Sequence, residues 1–232
     1  MIDTLVYGAF PYVALSLFLI VSIQRFRRDP FTFSSLSSQF LESKKLFWGS
    51  VPMHVGILTL FFGHLAGFLF PREVTIWNRV PLRLFILEST ALAAAILTLV
   101  GVGGLLYRRF SSDRLRANTS PADAIVYLIL GWMLVTGLWV AIGNRWGSAW
   151  YTHTAVPYLW SVFKLAPDVV RVGQLPLAAK LHIAGAWVFL AVFPFTRLVH
   201  MLVAPVPYLW RPVQLVIWNR RRNPAAKAEG GR

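Results

Sequence analysis

Four of the five histidines in this sequence stand inside apolar runs: His54 and His64 in one, His182 and His200 in another, with His153 alone in a more polar stretch. A neutral imidazole is a nitrogen donor to transition metals. Two imidazoles that meet an iron porphyrin from opposite sides fill both of its axial positions, which favours electron transfer over oxygen chemistry. Zinc or copper would want three or four ligands converging at one depth, and here the histidines come two by two. The chain has no cysteine, which removes a disulfide framework, thiolate zinc, iron–sulfur ligation by this chain and covalent c-type haem. Non-covalent haem b is the cofactor that suits this donor set.

The elements that carry the histidines belong in a membrane. The sequence is 56% hydrophobic and 14% charged over 232 residues, too apolar for a surface in water. A bilayer core about 30 Å thick needs roughly 20 apolar residues of helix, and five runs approach or reach that length: Thr4–Gln24, Leu46–Pro71, Ser89–Tyr107, Ala124–Asn144 and Leu181–Thr196. Arg197 interrupts the last, but apolar sequence resumes after it, so it reads as one helix from about Leu177 to Ala204 with Arg197 as an intramembrane charge near one end. The first run is too long for a signal-peptide core and has no basic flank, so it reads as a retained helix. The expected fold is an all-α, polytopic five-transmembrane-helix bundle over residues 1–204. Residues 205–232 read as a basic tail. Its Tyr208–Trp218 stretch suits the interface or a protein partner, and the part from Asn223 reads as disordered.

Charge placement orients the bundle. Of the 23 Lys and Arg, fifteen fall in the first-to-second connection, the third-to-fourth connection and the tail, and seven fall around the other two connections. The positive-inside rule then puts the N-terminus outside and the C-terminus in the cytoplasm. A net charge of +14 raises nucleic acid as a partner, but charge on short membrane-flanking loops points to an anionic lipid face instead.

With that topology the second and fifth helices run antiparallel. His54 and His200 lie at the inner depth and His64 and His182 at the outer, so each depth holds one histidine from each helix. Ten residues separate the first two and eighteen the second two, rises of roughly 15 Å and 27 Å in continuous helix. The mismatch requires tilted helices or slanted pairs. Gly56, Gly63, Gly67 and Gly185 could admit a porphyrin edge or serve close helix packing. Phe61, Phe62, Trp187, Phe189, Phe193 and Phe195 could line the macrocycle or face lipid. Arg197, one turn from His200, could pair with a propionate or snorkel to headgroups. Glu88, an acid inside the third span, could accept a proton or pair with Arg83. His153, among Trp150, Tyr151 and Tyr158, reads as part of an interfacial aromatic loop and stays outside the ligand set.

The sequence resembles the gamma subunit of respiratory nitrate reductase, a di-haem cytochrome b membrane anchor. The likeness is carried by Phe10-Pro11-Tyr12, Ser37-Ser38-Gln39 with Lys44, and the HVGILTLFFGH stretch from His54 to His64. It continues through Arg114-Leu115-Arg116-Ala117, Ala122-Asp123, Leu181-His182, FPFTRLVH ending at His200, and Pro205-Val206-Pro207-Tyr208-Leu209. The resemblance implies that His64 and His182 hold an outer haem and His54 and His200 an inner one. It also implies that quinol is oxidised near the outer haem, with electrons passing inward to an iron–sulfur subunit and a molybdenum catalytic subunit in the cytoplasm. A cell (inner) membrane location and a role in anaerobic respiration or nitrate assimilation follow from the same likeness. One departure stands out: a member of the family carries a quinol-pocket lysine near the start of the third helix, where this chain offers Arg79, Arg83 and Glu88. Two rival readings remain at this stage. One is a related di-haem subunit of a sulfur-cycle or heterodisulfide-type reductase; the other is a haem-free anchor or proton-relay transporter.

Overall fold

The computed structural model describes residues 1–33, 46–144 and 147–203. Among the described residues there is helix and no strand, and Met1–Leu202 form one compact unit. Five segments are long and apolar enough to cross a membrane: α1 (Thr4–Arg28), α2 (Leu46–Leu69), α3 (Pro81–Phe110), α4 (Pro121–Gly143) and α5 (Leu177–Phe195). The fold class expected from the sequence is therefore the one observed. The readings placed on the 205–232 tail, on Ser37-Ser38-Gln39 and on Lys44 lie outside the described residues.

Local chemistry sets the helix ends. Proline suits a first turn, where its missing N–H is not needed. Pro81 follows the extended Val80 and opens α3 well ahead of the apolar run, so Arg83 and Glu88 ride on its first turns. Pro71 opens a separate short helix, Pro71–Asn78, beyond the end of α2. Pro121 opens α4 behind a capping box in which the Ser120 side chain accepts from Asp123 N and the Asp123 carboxylate accepts from Ser120 N. That box satisfies two orphan donors at once.

The fifth span departs from expectation. Regular α-helix covers only Leu177–Val192. A 3-10 turn, Phe193–Phe195, follows; Thr196 is extended at φ −110° and ψ 178°, and a second 3-10 segment runs Arg197–Val203. Pro194 has no N–H to give and its ring crowds the preceding turn, which breaks the ladder. The continuous-helix rise between His182 and His200 therefore does not apply, because the chain is redirected between them. Freed carbonyls in a membrane need partners, and Arg25 at the end of α1 supplies one for two of them: its Nη1 donates to Pro194 O at 2.7 Å and Thr196 O at 2.9 Å, while its Nη2 donates to Thr32 O, in the turn after α1, at 3.0 Å. Charge-assisted hydrogen bonds of this kind contribute about 1.5–3 kcal/mol. Arg25→Ala should lower the thermal unfolding temperature in detergent, and Arg25→Lys should recover little of it, because a single ammonium cannot span the three carbonyls.

The packing is uneven. α2 lies along α3, where Gly49 and Gly104 meet and Gly101 abuts the Met53 backbone. α4 packs on α5, and α5 on α1. The largest buried cluster joins α1, α5 and the α4-to-α5 connection through Tyr7, Ala14, Tyr158, Val162, Val172 and Trp187. That connection is built of short helices rather than a loose loop, and the fully buried Tyr158 donates to Tyr7 O at 2.8 Å while accepting from Trp187 Nε1 at 3.1 Å. The α2–α3 pair and the α4–α5–α1 group thus leave α2 and α5 facing each other without close backbone packing.

Candidate functional site

The histidines meet across that gap. The ring centres of His54 and His200 lie 6.5 Å apart with planes at 62°, and those of His64 and His182 lie 6.3 Å apart at 33°. The pairing by depth read from the sequence is the pairing in space. A metal–imidazole bond of about 2.0–2.1 Å on each side, plus the roughly 1.1 Å from ring nitrogen to ring centre, puts two axial imidazoles about 6.3 Å apart. Both separations match that length. Among the described residues no three of His, Cys, Asp and Glu converge as a metal cluster.

Each ring is also oriented through Nδ1. His54 Nδ1 contacts Ser50 O at 2.8 Å, His64 Nδ1 contacts Leu60 O at 2.7 Å, and His200 Nδ1 contacts Arg197 O at 2.6 Å. A carbonyl only accepts, so each of these Nδ1 atoms carries the proton and donates, leaving the Nε2 lone pair unprotonated and able to bind a metal. His182 reaches the same state differently. The Thr136 hydroxyl donates to Trp132 O at 2.7 Å and lies 3.0 Å from His182 Nδ1; with its proton spent on the carbonyl, its oxygen accepts from His182. Four rings locked in one tautomer by outer partners is the arrangement that metal-ligating histidines use.

Other expected contacts fall out differently. Of the four glycines, only Gly63 faces open space. A Cβ at Gly56 would run into Thr98 and the Ala94 carbonyl, at Gly67 into the Tyr151 ring, and at Gly185 into Trp132 at 2.6 Å, so these three serve helix packing. Trp187 and Phe193 are buried in protein clusters, whereas Phe61, Phe62 and Phe195 are exposed. Arg197 Nε pairs with Asp123 Oδ1 at 3.1 Å. Glu88 and Arg83 do not pair with each other: Glu88 Oε1 accepts from Ser148 N at 2.8 Å and Ser148 Oγ at 2.6 Å, and the Arg83 guanidinium sits over the Trp77 ring. The i to i+5 spacing points their side chains apart.

Several site residues have no signal in the sequence. Thr136 is one. Tyr151 is another: its hydroxyl donates to His64 O at 3.0 Å, its ring stands edge-on to the His64 ring, and burial pushes its phenol up to about 12, so it remains a neutral donor at physiological pH. Gly137 lies against the His182 ring, where a Cβ would come within 3.2 Å of Cε1. Ser148 and Tyr151 belong to one short segment, which ties Glu88 on α3 to His64 on α2. His153 is exposed and lines an open groove of about 370 Å³ with Arg72, Thr75, Arg79 and Thr152, apart from the four histidines.

Fold and site together define a polytopic helical membrane protein with two interhelical bis-histidine sites stacked across the bundle. The chain belongs to the nitrate reductase gamma subunit family, whose model matches residues 3–219. It is 31% identical over 220 residues to the nitrate reductase gamma chain of Bacillus subtilis, covering 94% of this chain and 98% of that one. It is 30% identical over 214 residues to the respiratory nitrate reductase 2 gamma chain of Escherichia coli, covering 90% and 94%. A nitrate reductase-like protein, NarX, of Mycobacterium tuberculosis matches at 32% over 217 residues, which is 91% of this chain and 33% of that longer one. The chain is thus a membrane-embedded subunit of a nitrate reductase, an oxidoreductase that works as a complex.

Proposed function

We propose that the chain is the quinol-oxidising, electron-transfer subunit of that complex, with His64 and His182 as axial ligands of an outer haem b and His54 and His200 of an inner one. The observation that carries the reading is the pair of imidazole separations, 6.3 and 6.5 Å, together with four Nδ1 atoms engaged by oxygen. Bound between these pairs, the two haems supply the one-electron relay from quinol toward a cytoplasmic iron–sulfur subunit and a molybdenum catalytic subunit. The charge bias supports an outside N-terminus and a cytoplasmic C-terminus, and membership of the family supports a cell (inner) membrane location.

The chain's own residues hold, orient and shield. Tyr151 covers His64, and Thr136 fixes the tautomer of His182. Arg197 stands beside the inner pair with Nε committed to Asp123, so a propionate contact would fall to its terminal nitrogens. At the outer end Glu88 and Arg83 are the quinol-side groups. Glu88 taking a quinol proton would lose its charge and so weaken both bonds that its Oε1 accepts from Ser148, which couples proton uptake to the segment that carries Tyr151. Glu88→Gln should slow quinol-dependent reduction several-fold at unchanged haem content, as stopped-flow spectra would register.

The purified subunit should carry two low-spin haem b per chain in reduced-minus-oxidised spectra. A colourless protein would overturn the reading in favour of a haem-free proton relay. Thr136→Val should leave His182 Nδ1 without its acceptor and lower outer-haem occupancy while sparing the inner one. The ring planes differ, 33° against 62°, so the two ferric sites should give distinct EPR signals, the inner one with the larger maximal g value.

A further inference from the structure

The break in α5 poses a problem that the histidine pairs do not solve. His64 and His54 are held by the ladder of a long helix, each ring bonded to the carbonyl four residues back. His200 has no such ladder. It sits in the short 3-10 segment Arg197–Val203, beyond the extended Thr196, and 3-10 runs of this length support themselves poorly. Its ring is set by one bond, from Nδ1 to the backbone carbonyl of Arg197 at 2.6 Å. Whatever fixes Arg197 therefore fixes His200.

Arg25 holds the chain just before Arg197, at Thr196 O, and Asp123 holds the Arg197 side chain. Asp123 is only 6% exposed, and its carboxylate accepts from Arg197 Nε on Oδ1 at 3.1 Å, and on Oδ2 from Arg109 Nη1 at 3.2 Å and Ser120 N at 3.1 Å. Arg109 Nη1 in turn donates to Thr119 Oγ1 at 2.9 Å. One carboxylate thus joins the end of α3, the capped start of α4 and the segment that follows the break in α5. A buried carboxylate between two guanidiniums on separate elements is costly to disrupt, since removing it strands both cations. A capping box needs neither arginine.

We propose that Asp123 is a positioning residue for the His54–His200 site, clamping Arg197 so that its carbonyl aims the His200 imidazole. The inference rests on the reading of His54 and His200 as haem ligands. Asp123 acts through Arg197 and touches no reacting group. It also sets the local charge: one negative group offsets two cations beside this site and none beside the His64–His182 site.

The test uses membranes containing the full-length chain in its complex, with EPR and redox titration of both haems. Asp123→Asn preserves shape and one acceptor but removes the charge. The expected result is a shifted or broadened inner signal and an upward shift of the inner midpoint potential, because loss of a negative charge favours the reduced iron, with the outer signal unmoved. Asp123→Glu should restore part of the inner signal. If Asp123→Asn does not accumulate, the double variant Asp123→Asn/Arg109→Gln, which removes one stranded cation, is read in its place: it leaves the net charge unchanged, so the shifted or broadened inner signal is expected without the upward shift of the potential. Both signals and potentials unchanged, or both sites disturbed alike, would overturn the inference. Unaltered complex without haem would overturn the parent reading instead, so the two failures are distinct.

Discussion

His64→Ala and His182→Ala should each halve the haem b content of the purified subunit, from two per chain to one, and remove the same one. Their rings are 6.3 Å apart, and among the described residues no third His, Cys, Asp or Glu joins them as a metal cluster. His54→Ala and His200→Ala should remove the other haem. Spectra and EPR of the four single variants therefore sort into two classes of two. Because the outer pair lies at the proposed quinol end, its loss should abolish reduction of the complex by quinol. Loss of the inner pair should leave an outer haem that quinol reduces but that no longer delivers electrons to the cytoplasmic subunits. A variant that loses both haems, or neither, breaks the assignment.

The second large effect comes from a glycine rather than a histidine. A Cβ at Gly101 would overlap the Met53 backbone one residue before His54, with N, Cα and Cβ of Met53 all inside the limit of real contacts. Backbone cannot rotate out of the way as a side-chain tip can. Gly101→Ala must push α2 from α3, and overpacking of this kind costs about 1–3 kcal/mol. Both His54 and His64 ride on α2, so the displacement reaches both pairs. Gly101→Ala should weaken both haem signals together and lower the unfolding temperature, in contrast to the selective histidine variants. Gly63→Ala, beside His64 but with nothing within 4 Å, is the comparison: protein stability should hold. Should Gly101→Ala retain both haems at full occupancy, the tight α2–α3 contact does not set the spacing of the pairs.

Much of the site was legible because histidine in an apolar run is chemically expensive. Four of them on two helices, with antiparallel helices enforced by the loops, leave one pairing by depth, and that pairing is the one in space. The glycines were ambiguous for the opposite reason. A missing side chain serves a porphyrin or a neighbouring helix equally well, and only the position of α3, α4 or Tyr151 decides between them. The Arg83–Glu88 alternative fails on helix geometry.

By itself the sequence determined the five spans, the histidine pairs and the charge asymmetry, all of which follow from transfer free energies acting residue by residue along the chain. The tertiary structure decided the rest. It broke α5 at Pro194, where apolarity alone predicted continuity, and found the freed carbonyls a partner in Arg25, whose charge on sequence grounds only counted toward orientation. It joined Glu88 to Ser148, Thr136 to His182 and Asp123 to Arg197. Hydrogen bonds between helices depend on rotation and depth of elements far apart in the chain, and no local pattern of residue types encodes those.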